Sequence, residues 1–263
     1  MRLPVALTIA GSDSGGGAGV QADLKTFAAL GVHGTSAITA ITAQNTTGVV
    51  DVLELPPALV RAQIAAVVED IGVSAAKTGM LSSSAIIETV ARCVREYGLS
   101  LLVVDPVMVA KGGARLLRDD AVGSLRELLI PLATVLTPNL PEAEVLVGGT
   151  IRSIEERRQA ARRLVAMGAR IAVVKGGHSE DDVTDVYFDG SQLVELTGTR
   201  IATPNTHGSG CTFSAAITAG LARGDAPLEA VKAAKEFVTA AISASLELGR
   251  GHGPVNPMFG LTS

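Results

Sequence analysis

Apolar, β-branched runs alternate with helical stripes along the whole chain, and nearly every run ends in a small cluster of glycine and polar residues. The runs fall at 3–10, 35–42, 74–78, 101–105, 134–137 and 171–175. They are continuous rather than alternating, the pattern of strands covered on both faces. Between them, Val60, Ile64, Val67, Val68 and Ile71 form one helical stripe, and Ile86, Val90, Val94 and Tyr97 form another. Ser153 and Glu156 have the spacing of a capping box, for a helix that stops near Gly168. After the sixth run the rhythm changes. Segments 183–188 and 192–196, joined through Asp189-Gly190, read as a β-hairpin, and helices over 210–223 and 226–247 close the chain.

This order predicts an α/β fold: one doubly wound, mostly parallel sheet flanked by helices, with a β-hairpin near the C-terminal third and right-handed crossovers. No linker, repeat or low-complexity tract divides it, so residues 1–263 read as one domain. Composition agrees: 47% of residues are hydrophobic, 18% are charged, and Trp is absent, which leaves packing to Ala, Val, Leu and Ile. A net charge of −4 with no basic helix face argues against nucleic acid as a partner. No apolar stretch approaches the ~20 residues of a membrane span, so no membrane partner is expected. The opening MRLPVALTIAGS reads as a buried first strand rather than a signal peptide, because a glycine-rich loop stands where a cleavage site would be. Cys93 and Cys211 have neither metal-ligand nor disulfide-framework spacing, which predicts reduced thiols and a cytoplasmic protein. Cys93 falls on the second apolar stripe and reads as packing.

In doubly wound sheets, ligands bind beyond the C-terminal ends of the strands, so the residues just after each run matter most. The first is GSDSGGGAGVQAD, from Gly11 to Asp23. It satisfies neither the dinucleotide fingerprint nor the P-loop pattern. It reads either as a tight turn or as a loop whose backbone meets a small ligand. Asp23 either complements the helix dipole or binds a ligand amine. Gln44 carries a donor and an acceptor suited to the edge of a nitrogen heterocycle. Met80 offers a soft surface for a flat ring. Asp105 suits Mg²⁺ held through water. KGGARLL at 111–117 has the composition of a mobile flap. Asn139 and Glu142 form a capping pair or line a hydrated metal–nucleotide site. Lys175 is a cation free to approach phosphate, and His178 reads as a loop residue. In NTHGSGC, Gly208, Ser209 and Gly210 open a helix whose N-terminus can bind a transferring phosphoryl group. Cys211 at that helix start is expected to have a lowered pKa.

GSDSGGGAGVQADLKTF, TAITAQNT (39–46), KTGML (77–81), VVDPVMVAKGG (103–113), TPNLPEAE (137–144), VKGGH (174–178) and NTHGSGCTFSAAI (205–217) together resemble the vitamin-kinase branch of the ribokinase-like superfamily. The resemblance spans almost the whole chain. It is more specific to the hydroxymethylpyrimidine/phosphomethylpyrimidine kinases of thiamine biosynthesis than to sugar kinases, which usually carry Asp where this chain has Cys211. It implies ATP-dependent phosphorylation of 4-amino-5-hydroxymethyl-2-methylpyrimidine and then of its monophosphate. It further implies a pyrimidine pocket of Gly11, Asp23, Gln44, Met80 and Val107, and Asn139 and Glu142 for Mg²⁺ and phosphate with Asp105 beside them. Lys175 would neutralise phosphate, Gly208–Gly210 would form an anion hole, and Cys211 would be the general base. Homodimers are common in the superfamily. The one departure is Ser209, where Thr is usual, and it keeps the hydroxyl. Pyridoxal kinase, on the same scaffold, is the nearest alternative; the TAQNT stretch and Met80 favour the pyrimidine. A nicotinamide-dependent oxidoreductase is disfavoured by the failed fingerprint. A non-catalytic nucleotide-binding regulator is disfavoured by the intact Lys175, Asn-x-x-Glu and GSGC set.

Overall fold

Burial on both faces is what the continuous runs foretold, and the strands use it to build one eight-stranded sheet in the order β10-β9-β8-β7-β6-β5-β1-β2. The computed structural model describes residues 3–110, 113–118, 120–177 and 183–260. In chain order the elements are β1 (Val5–Ala10), α1 (Gly19–Ala29), β2 (His33–Ile38), β3 (Ala40–Asn45), β4 (Gly48–Glu54), α2 (Pro57–Asp70), β5 (Ala75–Thr78) and α3 (Ser84–Glu96). Then follow β6 (Leu102–Val104), α4 (Ala121–Ser124), β7 (Val135–Leu136), α5 (Leu140–Val147), α6 (Ile154–Ala166), β8 (Ile171–Val174), β9 (Asp185–Phe188), β10 (Leu193–Leu196), α7 (Ser209–Arg223) and α8 (Pro227–Ser243). Strands β2, β1, β5, β6, β7 and β8 run parallel, while β9 and β10 complete the edge as an antiparallel pair. The expected hairpin is present. Asp189 Oδ1 accepts from the amides of Ser191 and Gln192, and Gly190 takes a left-handed φ of 94° at the turn.

Successive residues of each strand feed opposite layers, as the period of two requires. Leu102 and Val104 join Leu7, Ile9, Ile64, Ile87 and Val90 on one face, while Val103 joins Val135, Val173, Phe213 and Ile217 on the other. Helices α2, α3, α5 and α6 cover the first face, and α7 and α8 the second. Helix α1 packs beside α7 through Phe27, Ala215 and Ala219. Cys93 is fully buried in the first layer. The capping box at the start of α6 is formed: Ser153 accepts from the Glu156 amide, and Glu156 accepts from the Ser153 amide.

Two expectations need correcting. The run 35–42 is not one strand. Its first part is β2, and β3 then leaves the main sheet to pair with β4, a strand the sequence reading did not assign. The break is held at Thr39, which is fully buried; its amide donates to Ala10 O and its hydroxyl to Met80 O. The last helix ends at Ser243 rather than at 247, because the Leu246 amide pairs with Pro254 O and turns the chain back. Strand order reverses at β1, between β2 and β5, and the crevice there receives the loops after β1, β5, β6, β7 and β8.

Two substitutions remote from that crevice separate local from core contributions. Ser153→Ala removes a helix cap and should cost about 1 kcal/mol. Ile87→Ala empties a fully buried site and should cost about 2–5 kcal/mol. Denaturant unfolding of both variants checks the order and the gap; a Ser153→Ala variant as stable as the wild type would show that α6 is not held by its cap.

Candidate active site

The strand-end loops enclose one large cavity of about 880 Å³. Its wall includes Gly11, Gln44, Met80 and Val107, then Lys77, Asp105 and Gly208–Cys211, and also Asn139, Glu142, Lys175 and Gly176. Of the residues expected at a site, only Asp23 lies outside this wall. It is fully buried in α1, where it accepts from Thr8 Oγ1 at 2.6 Å and pairs with Lys77 Nζ at 2.8 Å. Asp23 therefore cannot meet a ligand amine directly, and it is not in the first turn of α1 where it would complement the dipole. It holds Lys77, which does reach the cavity.

Lys77 itself was visible only as part of KTGML and was given no role. Burial would lower its pKa, but the charges of Asp23 and Asp105 and the hydrogen bond to Asp23 outweigh it and raise the pKa. Met80 lies on the other side of the loop: a Cβ on Gly11 would stand 2.9 Å from its sulfur. The Gln44 amide, on β3 rather than after a sheet strand, lies 3.2 Å from Thr42 Oγ1, and its backbone is tied to Ser14 Oγ at 2.7 Å.

The helix start carries the anion-binding geometry. Gly208 is the N-cap of α7, in a left-handed conformation with φ 81°, and no side chain caps the helix. Any Cβ there would stand 1.8 Å from Gly17 O, so only glycine fits. A Cβ on Gly210 would lie 3.4 Å from Lys175 Nζ and 3.9 Å from Asp105 Oδ2, which places cation and carboxylate directly against the turn.

Lys175 is not free, contrary to expectation. Its Nζ pairs with Asp105 Oδ1 at 3.1 Å. Burial would lower the pKa of Lys175, but Asp105 and Glu142 more than restore it. Burial likewise pushes Asp105 up, and the charges of Lys175 and Lys77, with the Ser214 hydroxyl 3.2 Å away, outweigh it and keep the carboxyl below its ordinary value.

Asn139 and Glu142 do form a capping box. Asn139 Oδ1 accepts from the Glu142 amide at 2.9 Å, and Glu142 Oε2 accepts from the Asn139 amide at 2.8 Å. Burial, reinforced by Asp105, pushes the Glu142 carboxyl up to about 7 against the opposing charge of Lys175.

The expectation for Cys211 is overturned. Burial dominates, and the nearby carboxylates of Asp23 and Asp105 add to it, against Lys77 and the Gly19 amide that donates to the sulfur; the thiol rises to about 11. His178 and part of the expected flap, residues 111 and 112, lie outside the described residues; beside them, Val109 and Arg115 bridge antiparallel. A further pair was out of reach of any local reading. Asp13 Oδ2 accepts from His207 Nε2 at 2.9 Å across 194 positions of sequence.

Known proteins share this fold. A relative from Bacillus subtilis named hydroxymethylpyrimidine/phosphomethylpyrimidine kinase is 54% identical over 97% of this chain and 95% of its own. The crystal structure of an ADP complex of Bacillus subtilis pyridoxal kinase superposes with a TM-score of 0.93 at 44% identity, covering 100% of both chains. That of phosphomethylpyrimidine kinase from Clostridium difficile superposes with a TM-score of 0.82 at 42% identity, over 92% of this chain and 100% of that one. The profile of the phosphomethylpyrimidine kinase family matches residues 13–256, and this chain, a phosphotransferase by its kinship and its cavity, belongs to that family.

Proposed function

We propose that this protein transfers the γ-phosphoryl group of ATP to 4-amino-5-hydroxymethyl-2-methylpyrimidine and then to the resulting monophosphate, supplying thiamine biosynthesis. The observation that carries the reading is that the α7 start, which no side chain caps, lines the same cavity as Lys175, Asp105, Gln44 and Met80. The acceptor lies against Gly11, Gln44, Met80 and Val107, with Gln44 reading the edge of the ring and Met80 packing on its face. The triphosphate lies towards Asn139, Glu142 and Lys175.

Phosphoryl transfer asks mainly for positioning and for charge stabilisation. The α7 start at Gly208–Gly210, which no side chain caps, faces the phosphoryl group in transit, and Lys175 supplies the charge beside it. Asp105 and Glu142 fit a Mg²⁺ that arrives with the nucleotide and is held partly through water. Among the described residues no three acidic, His or Cys side chains converge on one point, so phosphate and water oxygens must complete its shell. When bound, that ion neutralises charge on the phosphates. The acceptor hydroxyl gives its proton to Cys211 in its thiolate form, which returns to the thiol. With a pKa of about 11, only about one thiol in ten thousand is ionised at pH 7, and the Lys77 ammonium favours that thiolate before it takes the proton. Pyridoxal is the second acceptor to weigh, because a pyridoxal kinase superposes over the whole chain.

The protein works as a cytoplasmic homodimer in this proposal. Its two cysteines are free. No helix among the described residues is long and apolar enough to cross a membrane. Ile41 and Leu53 face each other across β3–β4 and are 42% and 66% exposed, a pair that a second copy would cover.

A coupled ATP-consumption assay should show turnover with hydroxymethylpyrimidine and its monophosphate above that with pyridoxal; turnover with pyridoxal alone refutes the reading. In the same assay, Gln44→Ala should raise the pyrimidine KM roughly tenfold, the loss of about one hydrogen-bonded partner, and leave the ATP KM unchanged. Cys211→Ala should lower kcat about 10²–10⁴-fold with ATP binding intact. Because deprotonation creates the reactive thiolate, alkylation of Cys211 should quicken about tenfold per pH unit from 7 to 9. A plateau below pH 8 would mean a thiol far more acidic than described. Sedimentation should give the dimer mass, and Leu53→Glu should shift it towards the monomer.

A further inference from the structure

Strand β3 borders the cavity through Thr42 and Gln44, and the approach to α7 borders it through Thr206 and His207. These two roofs of the proposed site are held by the same stretch of chain after α8. The His252 amide donates to Thr46 O at 3.0 Å, and the Gly251 amide lies 3.3 Å from Thr46 Oγ1. A few residues on, Gly253 O accepts from the His207 amide and the Val255 amide donates to His207 O, each at 3.0–3.1 Å, which lays 253–255 parallel to the segment that leads into Gly208. Asn205 Oδ1 accepts from the Gly253 amide at 3.0 Å and ties the same two segments again.

From His207 the connection returns to β3 through the glycine-rich loop. The His207 ring donates to Asp13, whose carboxylate also accepts from the amides of Gly15, Gly17 and Ala18. Burial alone would push the Asp13 carboxyl up, but His207 and these amides outweigh it and hold it below its ordinary value. Next to Asp13, Ser14 Oγ exchanges hydrogen bonds of 2.7 Å with the backbone N–H and C=O of Gln44. Gln44 stands two residues from Thr46, so the hydrogen bonds close into a ring: Thr46, His252, Gly253, His207, Asp13, Ser14, Gln44. The ring is also tightly packed. A Cβ on Gly251 would stand 2.0 Å from Thr46 O, and one on Gly17 would stand 2.6 Å from the His207 ring.

We propose that residues 249–256 are a clasp that couples seating of the acceptor under β3 to alignment of the anion-binding turn, with Thr46 and His207 as its positioning residues. None of these side chains needs to touch a reacting atom. A one-directional scaffold would hold each roof separately. A closed ring means that displacing either roof strains the other, because interfaces of this kind have few compliant joints. The clasp rests on the proposed reaction only for its kinetic readout.

The test combines amide hydrogen exchange with kinetics on the full chain. The variants are His207→Ala, which cuts the ring at the phosphate end, and Gly251→Ala, which wedges it at the acceptor end. His207→Gln can still donate to Asp13 and serves as the conservative control. His207→Ala should speed exchange at residues 44–48, although it touches none of them, and His207→Gln should restore protection. Gly251→Ala should in turn speed exchange at 207–211. His207→Ala and Gly251→Ala should each lower kcat/KM for hydroxymethylpyrimidine roughly three- to thirtyfold, His207→Gln should stay near the wild type, and the double variant should lose less than the product of the single losses. Exchange confined to the mutated end, or losses that multiply, overturns the clasp. If Gly251→Ala does not fold, the His207 pair decides alone. If the wild-type protein phosphorylates no pyrimidine, the proposed function falls, while the exchange pattern still decides the clasp.

Discussion

Helix α7 starts bare: its N-cap is a left-handed glycine pressed onto Gly17 O, and no side chain closes its first amides. Most helices spend those donors on a Ser, Thr, Asp or Asn cap. Here the Ser209 amide turns back to Thr206 O and no side chain takes the others, which suits a helix start that is to receive an anion. The glycine-rich loop is bound to Asp13 instead of folding over the helix end. Small residues at Gly17, Gly208 and Gly210 let three backbone segments and Lys175 crowd the same point. The parallel sheet serves this arrangement, since its geometry delivers the loops of β1, β5, β6, β7 and β8 to one edge.

Charge at that edge is balanced before any ligand arrives. Lys175 faces Asp105, and Lys77 faces Asp23 with both partners at 0% exposure. Isolated, either ammonium would lose more from desolvation than it could regain; paired and hydrogen-bonded, each survives as a charge. The pairs differ in placement. Asp105 borders the cavity and can give up part of its hold on Lys175 to incoming phosphates, whereas Asp23 is sealed behind Lys77 and cannot. One cation is therefore available to the phosphate chain and the other is fixed under the thiol.

The parallel strands, both capping boxes, the hairpin at Asp189-Gly190 and nearly all the cavity residues were legible, because each is written in a contiguous pattern: an apolar run, a cap spacing, a glycine turn. Three features were not. The break at Thr39 depends on carbonyls from β1 and the β5 loop, which no window around 39 contains. Strand β4 has a largely exposed, irregularly paired pattern with a bulge opposite Ala43 and Gln44, so its periodicity is faint. Asp23 occupies a position that suits a ligand contact, and only its burial behind Lys77 reassigns it. Pairing across 194 positions, as between Asp13 and His207, leaves no local trace at all.

Cys211 illustrates how two sound local arguments are weighed. A helix N-terminus favours thiolate by about 0.3–1 kcal/mol when exposed and up to about 2 in buried settings. The rise from an ordinary thiol value to about 11 corresponds to a net of about 3 kcal/mol in the other direction. Burial wins, with Asp23 and Asp105 adding to it. A thiolate at rest would add an anion to an edge already neutral by pairs, next to the site that must receive a triphosphate, and would repel it. A neutral thiol avoids that repulsion and leaves the α7 start to the phosphoryl group. The small thiolate fraction suffices for a loose transfer, where the demand on a base is small. The same burial that makes Cys211 a poor base at rest thus keeps a further negative charge away from the phosphate site.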